Sequence, residues 1–285
     1  MNRVIVSSLA PITLLGGSSH AEEDLSAALS WAPRLVAADG GGDAALLAGR
    51  APEAVIGDMD SLSASGQEIL GDVLHPVTEQ ETTDFDKALR SIDAPLVLAV
   101  GVSGGRLDHE LAALTVLARH PDRPCLVIGR DSLVFLCPPR LRLDLAAGST
   151  VSVFPLAPGR VQSHGLEWPT TGLTLAADAR VGTSNRATGP VDLLPETPGM
   201  LVILPRVLLD VTVRSLLASG DAGGGRWPAR ETPRKYARPP GRTSGLRCSW
   251  RLSDFPDAPP AGPWSKRPQP AREEAWSEVR PALFP

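Results

Sequence analysis

The stretch Val55-Ile56-Gly57-Asp58-Met59-Asp60-Ser61 decides how this chain is read. A short apolar run ends in glycine, two carboxylates flank a single residue, and a serine follows. That is the pattern of a buried strand leaving a sheet and presenting acids to a ligand. Alternate residues of an extended segment point the same way, so Asp58 and Asp60 are expected to share one target. Two carboxylates about 4 Å apart repel by roughly 4 kcal/mol at an effective dielectric of about 20. A hard divalent cation removes that repulsion, and Mg²⁺ is typically held by one or two carboxylates together with substrate phosphates. The bland alternative is an Asp-rich turn, because aspartate also favours turns for backbone reasons.

Upstream of this stretch, Val4–Ser8 and Ile12–Leu15 read as strands closed by Gly16-Gly17-Ser18-Ser19. Residues 21–32 have helical spacing, with Glu22, Glu23 and Asp24 at the positive end of the helix dipole. Leu35–Ala38 is a buried strand running into Asp39-Gly40-Gly41-Gly42, and a short helix covers Asp43–Ala48. Downstream, Ser63–Leu70 is helical, and Thr83 is placed to cap a helix with Asp84 and Asp86 in its first turn. Leu96–Val100 is a strand ending in Gly101-Val102-Ser103-Gly104-Gly105-Arg106-Leu107-Asp108-His109. The helix after it is expected to bury Leu107, Leu111, Leu114 and Ala118, and strands follow at Cys125–Ile128 and Leu133–Leu136. Strands alternating with helices predict an α/β fold, a doubly wound, mainly parallel sheet over residues 1–137. Ligands in such folds sit at the carboxyl ends of the strands. Asp39, Asp58 and Gly101–Arg106 all follow strand ends and Asp84 opens a helix near the same edge, so separate loops are expected to converge.

Helical spacing fades near Pro138. Short β-rich runs at Thr150–Phe154, Leu173–Leu175, Val191–Leu194 and Met200–Leu204, split by Gly and Pro, predict a small all-β sandwich domain over 138–217. Ile203–Leu217 fits either a last strand or a short helix. The tail, 218–285, is different again: residues 220–285 hold 12 of the 28 prolines and 4 of the 6 tryptophans. Proline-rich, apolar-poor sequence buries too little surface to offset its ordering entropy, so disorder is expected there. Trp227, Trp250, Trp264 and Trp276 are then solvated tail residues rather than partner anchors.

The formal charge of −4 hides an asymmetry. Residues 1–219 carry 16 Lys+Arg against 25 Asp+Glu, and residues 220–285 carry 12 against 7. The acidic body argues against a nucleic-acid-binding surface. Cys125, Cys137 and Cys248 stand at unrelated spacings and make neither a disulfide framework nor a zinc site. The apolar run after Arg3 is broken by Ser7, Ser8 and Pro11 and lacks a cleavage site, and no stretch reaches the roughly 18 apolar residues of a membrane span. A cytoplasmic protein without membrane contact is expected.

Lys87 is the only lysine in residues 1–219. A chain this committed to arginine places one compact ammonium three residues after Asp84, where it can meet phosphate oxygens as a point charge. A surface Asp84–Lys87 helix pair is the plainer reading. The Gly101–Gly105 loop precedes a helix, whose first N–H groups can bind phosphate. Arg106 adds a bidentate donor, and Asp108 suits a substrate hydroxyl or a donor side chain. His109 reads as a helix residue completing local hydrogen bonds.

These motifs together are Ala38-Asp39-Gly40-Gly41, Gly57-Asp58-Met59-Asp60-Ser61, Gln80 with Thr83-Asp84 and Lys87, Gly104-Gly105-Arg106-Leu107-Asp108-His109, and Thr183-Ser184-Asn185. In this order and spacing the set resembles the thiamine pyrophosphokinase family over roughly residues 1–216. The resemblance implies an α/β catalytic domain, a β-sandwich thiamine-binding domain and a homodimer with active sites between subunits. It implies transfer of a pyrophosphoryl group from ATP, with Mg²⁺, to the thiamine hydroxyl, releasing AMP. By position it implies Asp58, Asp60 and Asp84 as metal carboxylates, with Lys87 as the motif lysine. Asp39, Gly104, Gly105, Arg106 and Asp108 fall on the nucleotide, and Gln80, Trp168, Ser184 and Asn185 on thiamine. An indole face is a physically sensible seat for a cationic ring. Many family members place an acid after Ser-Asn, whereas this chain has Arg186, a charge unfavourable beside a cationic substrate unless it points away or meets the ATP phosphates of the partner subunit. Two other readings of the residues are a nucleotide-sugar glycosyltransferase, since Asp58-Met59-Asp60 is also a DxD motif, and a non-catalytic module that binds ATP or thiamine.

Overall fold

The structure, a computed structural model, describes residues 4–221 and 226–229. The expectations about the remaining tail, including Trp250, Trp264 and Trp276, lie outside the described residues. Six strands form the parallel half: β2 (Ile12–Leu15), β3 (Arg34–Ala38), β4 (Ala54–Gly57), β5 (Leu74–Pro76), β7 (Val97–Val100) and β8 (Cys125–Ile128). They lie in the order β5-β4-β3-β2-β7-β8, all parallel. A separate two-stranded ribbon pairs β1 (Val6–Ser7) with β6 (Ile92–Asp93). The helices α1 (Glu22–Trp31), α2 (Gly41–Leu47), α3 (Ala64–Ile69), α4 (Asp84–Arg90) and α5 (Leu107–Arg119) alternate with the strands. Every residue of β2, β4, β7 and β8 is buried, as expected where both faces of a parallel sheet are covered.

The burial pattern changes at β9 (Ser132–Leu136), where inward and outward residues alternate, and the pairing turns antiparallel at the same strand. The sheet then runs on through β15 (Met200–Pro205), β11 (Thr150–Pro155), β14 (Gly182–Pro195), β12 (Gly159–Leu166) and β13 (Thr174–Leu175). The expected boundary at 137/138 therefore falls between β9 and β10 (Leu141–Leu143), and the hydrogen bonding of β9 to β15 crosses it. The 14-residue β14 gives its first part to β11 and its second to β10 and β12. That arrangement bends the β-rich half around a core of Leu141, Val151, Val161, Leu193 and Val202. Residues 200–217 supply both elements that the sequence allowed, β15 and then α6 (Leu209–Asp221), whose Leu209 and Val213 enter the same core.

Two expectations need correction. Helix α5 buries Ala113, Val116, Leu117 and Ala118, while Leu107 and Leu111 are exposed. Both stripes satisfy a 3.6-residue period, and only packing on the sheet separates them. Trp227 is half-buried rather than solvated: its indole N–H donates to the Cys137 carbonyl at 2.9 Å. Beside it, Arg226 donates to the Ala94 carbonyl.

Candidate active site

The carboxyl ends of β2, β3, β4 and β7 open onto one cleft of about 430 Å³. Gly16, Gly17 and Ser18 line it after β2, Asp39 and Gly40 after β3, Ser61 after β4, and Gly101 and Val102 after β7. Thr83, Asp84 and Phe85 enter from the start of α4, and His109 and Ala113 from α5. The local sequence explains this convergence. Gly57 ends β4 where a Cβ would stand 2.7 Å from Asp39 Cβ, so only glycine lets the two loops touch. At Gly41 a Cβ would fall 2.1 Å from the Leu15 carbonyl oxygen, so α2 can start against β2 only with glycine there. Thr83 caps α4 as expected, its hydroxyl accepting from the Asp86 N–H at 3.3 Å.

Asp58 and Asp60 do come together, but not as alternating residues of a strand. The strand ends at Gly57, and Met59 adopts a left-handed φ of 68°. That turn brings the Asp60 N–H to 3.4 Å from Asp58 Oδ1. Asp39 is the third member: one carboxylate oxygen each of Asp39, Asp58 and Asp60 can be chosen so that all lie within 4.8 Å of one another. Asp39 also has a positive φ, 43°, and is almost fully buried. Its Oδ2 accepts from the Ser61 N–H at 3.1 Å, whereas its buried Oδ1 has no hydrogen-bond partner among the described residues. Burial pushes the Asp39 carboxyl above its usual range, against the Ser61 hydrogen bonds, and Asp84 and Asp60 add repulsion. A buried acceptor without a donor is costly in a native fold. An oxygen donor set aimed at one point is what a hard cation requires, so these residues fit Mg²⁺.

Lys87 is buried, with its Nζ 2.7 Å from Asp58 Oδ2 and 2.9 Å from Asp84 Oδ1. Burial acts to lower its pKa, but the two carboxylates prevail and hold it above the usual lysine value. The same ammonium, through its hydrogen bond, is the main reason that Asp58 stays below the ordinary carboxylate range. Gln80 Nε2 also donates to Asp58 Oδ2, at 3.0 Å. The Asp58 N–H lies 3.4 Å from Asp84 Oδ1. Asp58 thus belongs to two groups, one with Asp84 on the Lys87 ammonium and one with Asp39 and Asp60. The structure places Asp39 with Asp58 and Asp60, and Asp84 on the lysine.

The other candidates divide. Arg106 and Asp108 are exposed and pair with each other, Arg106 Nη2 to Asp108 Oδ2 at 2.6 Å. They and Gly104–Gly105 stand outside the cleft lining, which takes His109 from that motif instead. Trp168, Ser184 and Asn185 form a second group on the β-rich half. Buried Asn185 accepts from the Trp168 N–H at 3.1 Å and donates to the Trp168 carbonyl at 2.6 Å. Ser184 has a left-handed φ of 59°, and its N–H donates to the Ser152 hydroxyl. Arg186 does not point away: its guanidinium lies 5.2 Å from the centre of the Trp168 ring and pairs with Glu167 at 2.7 Å. None of these residues lines the cleft of their own chain. Sequence reasoning noted Gly16-Gly17-Ser18, Ser61 and His109 but gave them no place in the site. A Gly-Gly-Ser run directly after a buried strand was the available signal for the first three.

Residues 25–127 match the family model described as "Thiamin pyrophosphokinase, catalytic domain". The chain is 29% identical over 154 residues to thiamine pyrophosphokinase 1 of Arabidopsis thaliana, covering 47% of this chain and 58% of that protein. It is 30% identical over 158 residues to thiamine pyrophosphokinase 2 of Oryza sativa subsp. japonica, with the same coverage. The match therefore spans 58% of the length of these curated relatives. Among solved structures, thiamin pyrophosphokinase from Candida albicans shares the fold with a TM-score of 0.58 at 15% identity, over 72% of this chain and 93% of that one. The enzyme from Geobacillus thermodenitrificans gives 0.56 at 24% identity, over 68% and 96%. The family model and these curated relatives carry the thiamine pyrophosphokinase description, and the solved structures share the fold.

Proposed function

We propose that this chain is a thiamine pyrophosphokinase, transferring the pyrophosphoryl group of ATP to the thiamine hydroxyl and releasing AMP. The observation that carries the reading is the buried Asp39 Oδ1, without a partner among the described residues, on a residue that lines a cleft ringed by the glycine-rich ends of parallel strands and clusters with Asp58 and Asp60 beside it. Asp39, Asp58 and Asp60 are the residues that would hold Mg²⁺, which when bound neutralises phosphate charge and orients the transferring group. Lys87, pinned between Asp58 and Asp84, holds Asp58 below the ordinary carboxylate range and fixes the direction of both side chains. The Gly16–Ser18 and Gly101 turns line the same cleft, with the Gly16 and Ser18 N–H groups held by the Val100 and Gly101 carbonyls. Transfer of this kind depends on positioning and electrostatics more than on a protein nucleophile, and no activated Ser or Cys is needed. Cys125 and Cys137, both buried and free, have thiol pKa values raised by burial and fit no catalytic role.

Trp168, Ser184 and Asn185 make the thiamine-facing group in this reading. They lie outside the cleft of their own chain, and a homodimer in which each cleft meets the partner's β-rich half brings the two together. No helix among the described residues is long and apolar enough to cross a membrane. The free thiols suit a reducing, cytoplasmic setting. A nucleotide-sugar transferase would use Asp58 and Asp60 but leaves the catalytic-domain match without explanation.

The deciding experiment incubates purified protein with ATP, Mg²⁺ and thiamine and separates nucleotides and thiamine esters by chromatography. AMP with thiamine diphosphate is expected. ADP with thiamine monophosphate, or no thiamine-dependent turnover, overturns the reading.

A further inference from the structure

The back of helix α4 carries a polar network that the proposed chemistry does not use. Asp86 is fully buried and takes three side-chain partners: the Arg90 guanidinium at 3.2 Å, the His120 imidazole at 2.8 Å and the Arg119 guanidinium. Arg119 and His120 come from the end of α5, so this carboxylate ties α4 to α5. Arg90 then reaches forward. Its Nη1 also donates to the Thr82 hydroxyl at 2.9 Å, and its Nη2 donates to Glu79 Oε1 at 2.8 Å. Glu79 in turn accepts from the Glu81 N–H at 2.8 Å, the Thr82 N–H at 3.2 Å and the Thr82 hydroxyl. The segment 79–83 is thereby stapled along its back by one guanidinium. Its front delivers Gln80 to Asp58 at 3.0 Å, and it leads directly into Asp84.

From this arrangement we infer that Arg90, oriented by buried Asp86, is a positioning residue. By holding the 79–83 segment through Glu79 and Thr82, it sets the placement of Gln80 and Asp84 against Asp58. Arg90 touches neither cleft nor acid cluster and acts only through that segment. A planar fork is required, because three acceptors on two elements are bridged at once; a lysine ammonium has neither the reach nor the geometry. A site held about 1 Å out of place loses roughly 100-fold in rate, so the effect of releasing the staple belongs in kcat rather than in stability alone.

The inference rests on the functional reading above for its kinetic arm only, and the test keeps the two apart. Arg90→Ala, Arg90→Lys and the milder Glu79→Gln are compared with wild type by hydrogen exchange and by thiamine-dependent AMP release at 25 °C. Amides of residues 79–83 are expected to exchange at least about tenfold faster in Arg90→Ala, with β7 amides unchanged. The kcat should fall roughly 10- to 100-fold, with a higher Mg²⁺ concentration at half-saturation and no rescue in Arg90→Lys. Glu79→Gln should move both readouts in the same direction by less, and it carries the test if Arg90→Ala does not fold. Wild-type exchange in 79–83, wild-type kcat, or equal acceleration in β7 overturns the inference. Absence of turnover in the wild type overturns the functional reading, while the exchange arm still decides the role of Arg90.

Discussion

Helix α4 separates two carboxylate sites of opposite balance. On its front, Asp58 and Asp84 share one ammonium, Lys87, while Asp39 and Asp60 cluster with Asp58, and a buried oxygen of Asp39 has no partner among the described residues. Behind it, the single carboxylate of Asp86 is met by the Arg90 and Arg119 guanidinium groups and the His120 imidazole. Burial acts against both Asp39 and Asp86. It wins at Asp39, whose pKa is raised, and is overcome at Asp86 by His120 and Arg119, so that its pKa is lowered. The difference separates a site built to receive charge from one that has already been satisfied. A fold leaves electrostatic debt where a ligand will settle it, and elsewhere pairs its charges internally.

The contrast is most easily broken at the front. Asp58→Asn is expected to lower turnover by roughly 100- to 1000-fold, as the loss of a charge-stabilising group does, while leaving the Tm within a few degrees of wild type. Near-normal activity would remove Asp58 from the site. At the back the expectation inverts. Asp86→Ala leaves Arg90, Arg119 and His120 without their buried partner and should cost about 3 kcal/mol. That corresponds to roughly 6–12 °C in Tm for a unit of this size, readable by calorimetry, and a wild-type Tm would show that the network holds nothing.

Divalent cation sharpens the comparison. Mg²⁺ or Mn²⁺ at about a hundred times its dissociation constant should stabilise the wild type by about 2.7 kcal/mol. Asp58→Asn should lose most of that gain in a thermal shift assay, and Asp86→Ala should keep it. Acid distinguishes the segment between the two sites. Burial raises the pKa of Glu79, but hydrogen bonds from Thr82 and Arg90 outweigh it and bring it down from 4.5 to about 2. Its contribution is complete above pH 4.5 and disappears as pH falls towards 2, so stability drops through that window. Glu79→Gln should flatten this limb of a pH–stability curve, by a modest amount because the side chain is a third exposed. The smallest effect belongs to Arg186→Ala. It removes an exposed pair with Glu167 and a stack on Trp168, and denaturant titration should find less than about 1 kcal/mol.

Much of this was legible in the chain. Apolar runs ending in glycine and aspartate gave the parallel strands and their loaded ends, because a strand buried on both faces leaves a continuous apolar record. The solitary Lys87 stood out for the same compositional reason, and Thr83 announced the start of α4. The α5 stripe was misread because Leu107 and Leu111 satisfy the helical period as well as Val116 and Leu117 do. Strand β12 has no apolar run to betray it: Gly159–Leu166 alternates Val161, Ser163 and Leu166 inward among polar residues.

The sequence by itself determined the parallel α/β half, the shift to β-rich structure and the residues that carry charge at the strand ends. These are set by local patterning, which needs no partner to be read. Only the tertiary structure decided that Asp39 joins Asp58 and Asp60, that Asp84 pairs with Lys87, and that Arg186 stacks on Trp168. The left-handed turn at Met59 belongs with these, since a methionine announces no such φ. Distances between elements depend on how loops close and helices pack, and that information is spread over contacts no single stretch contains.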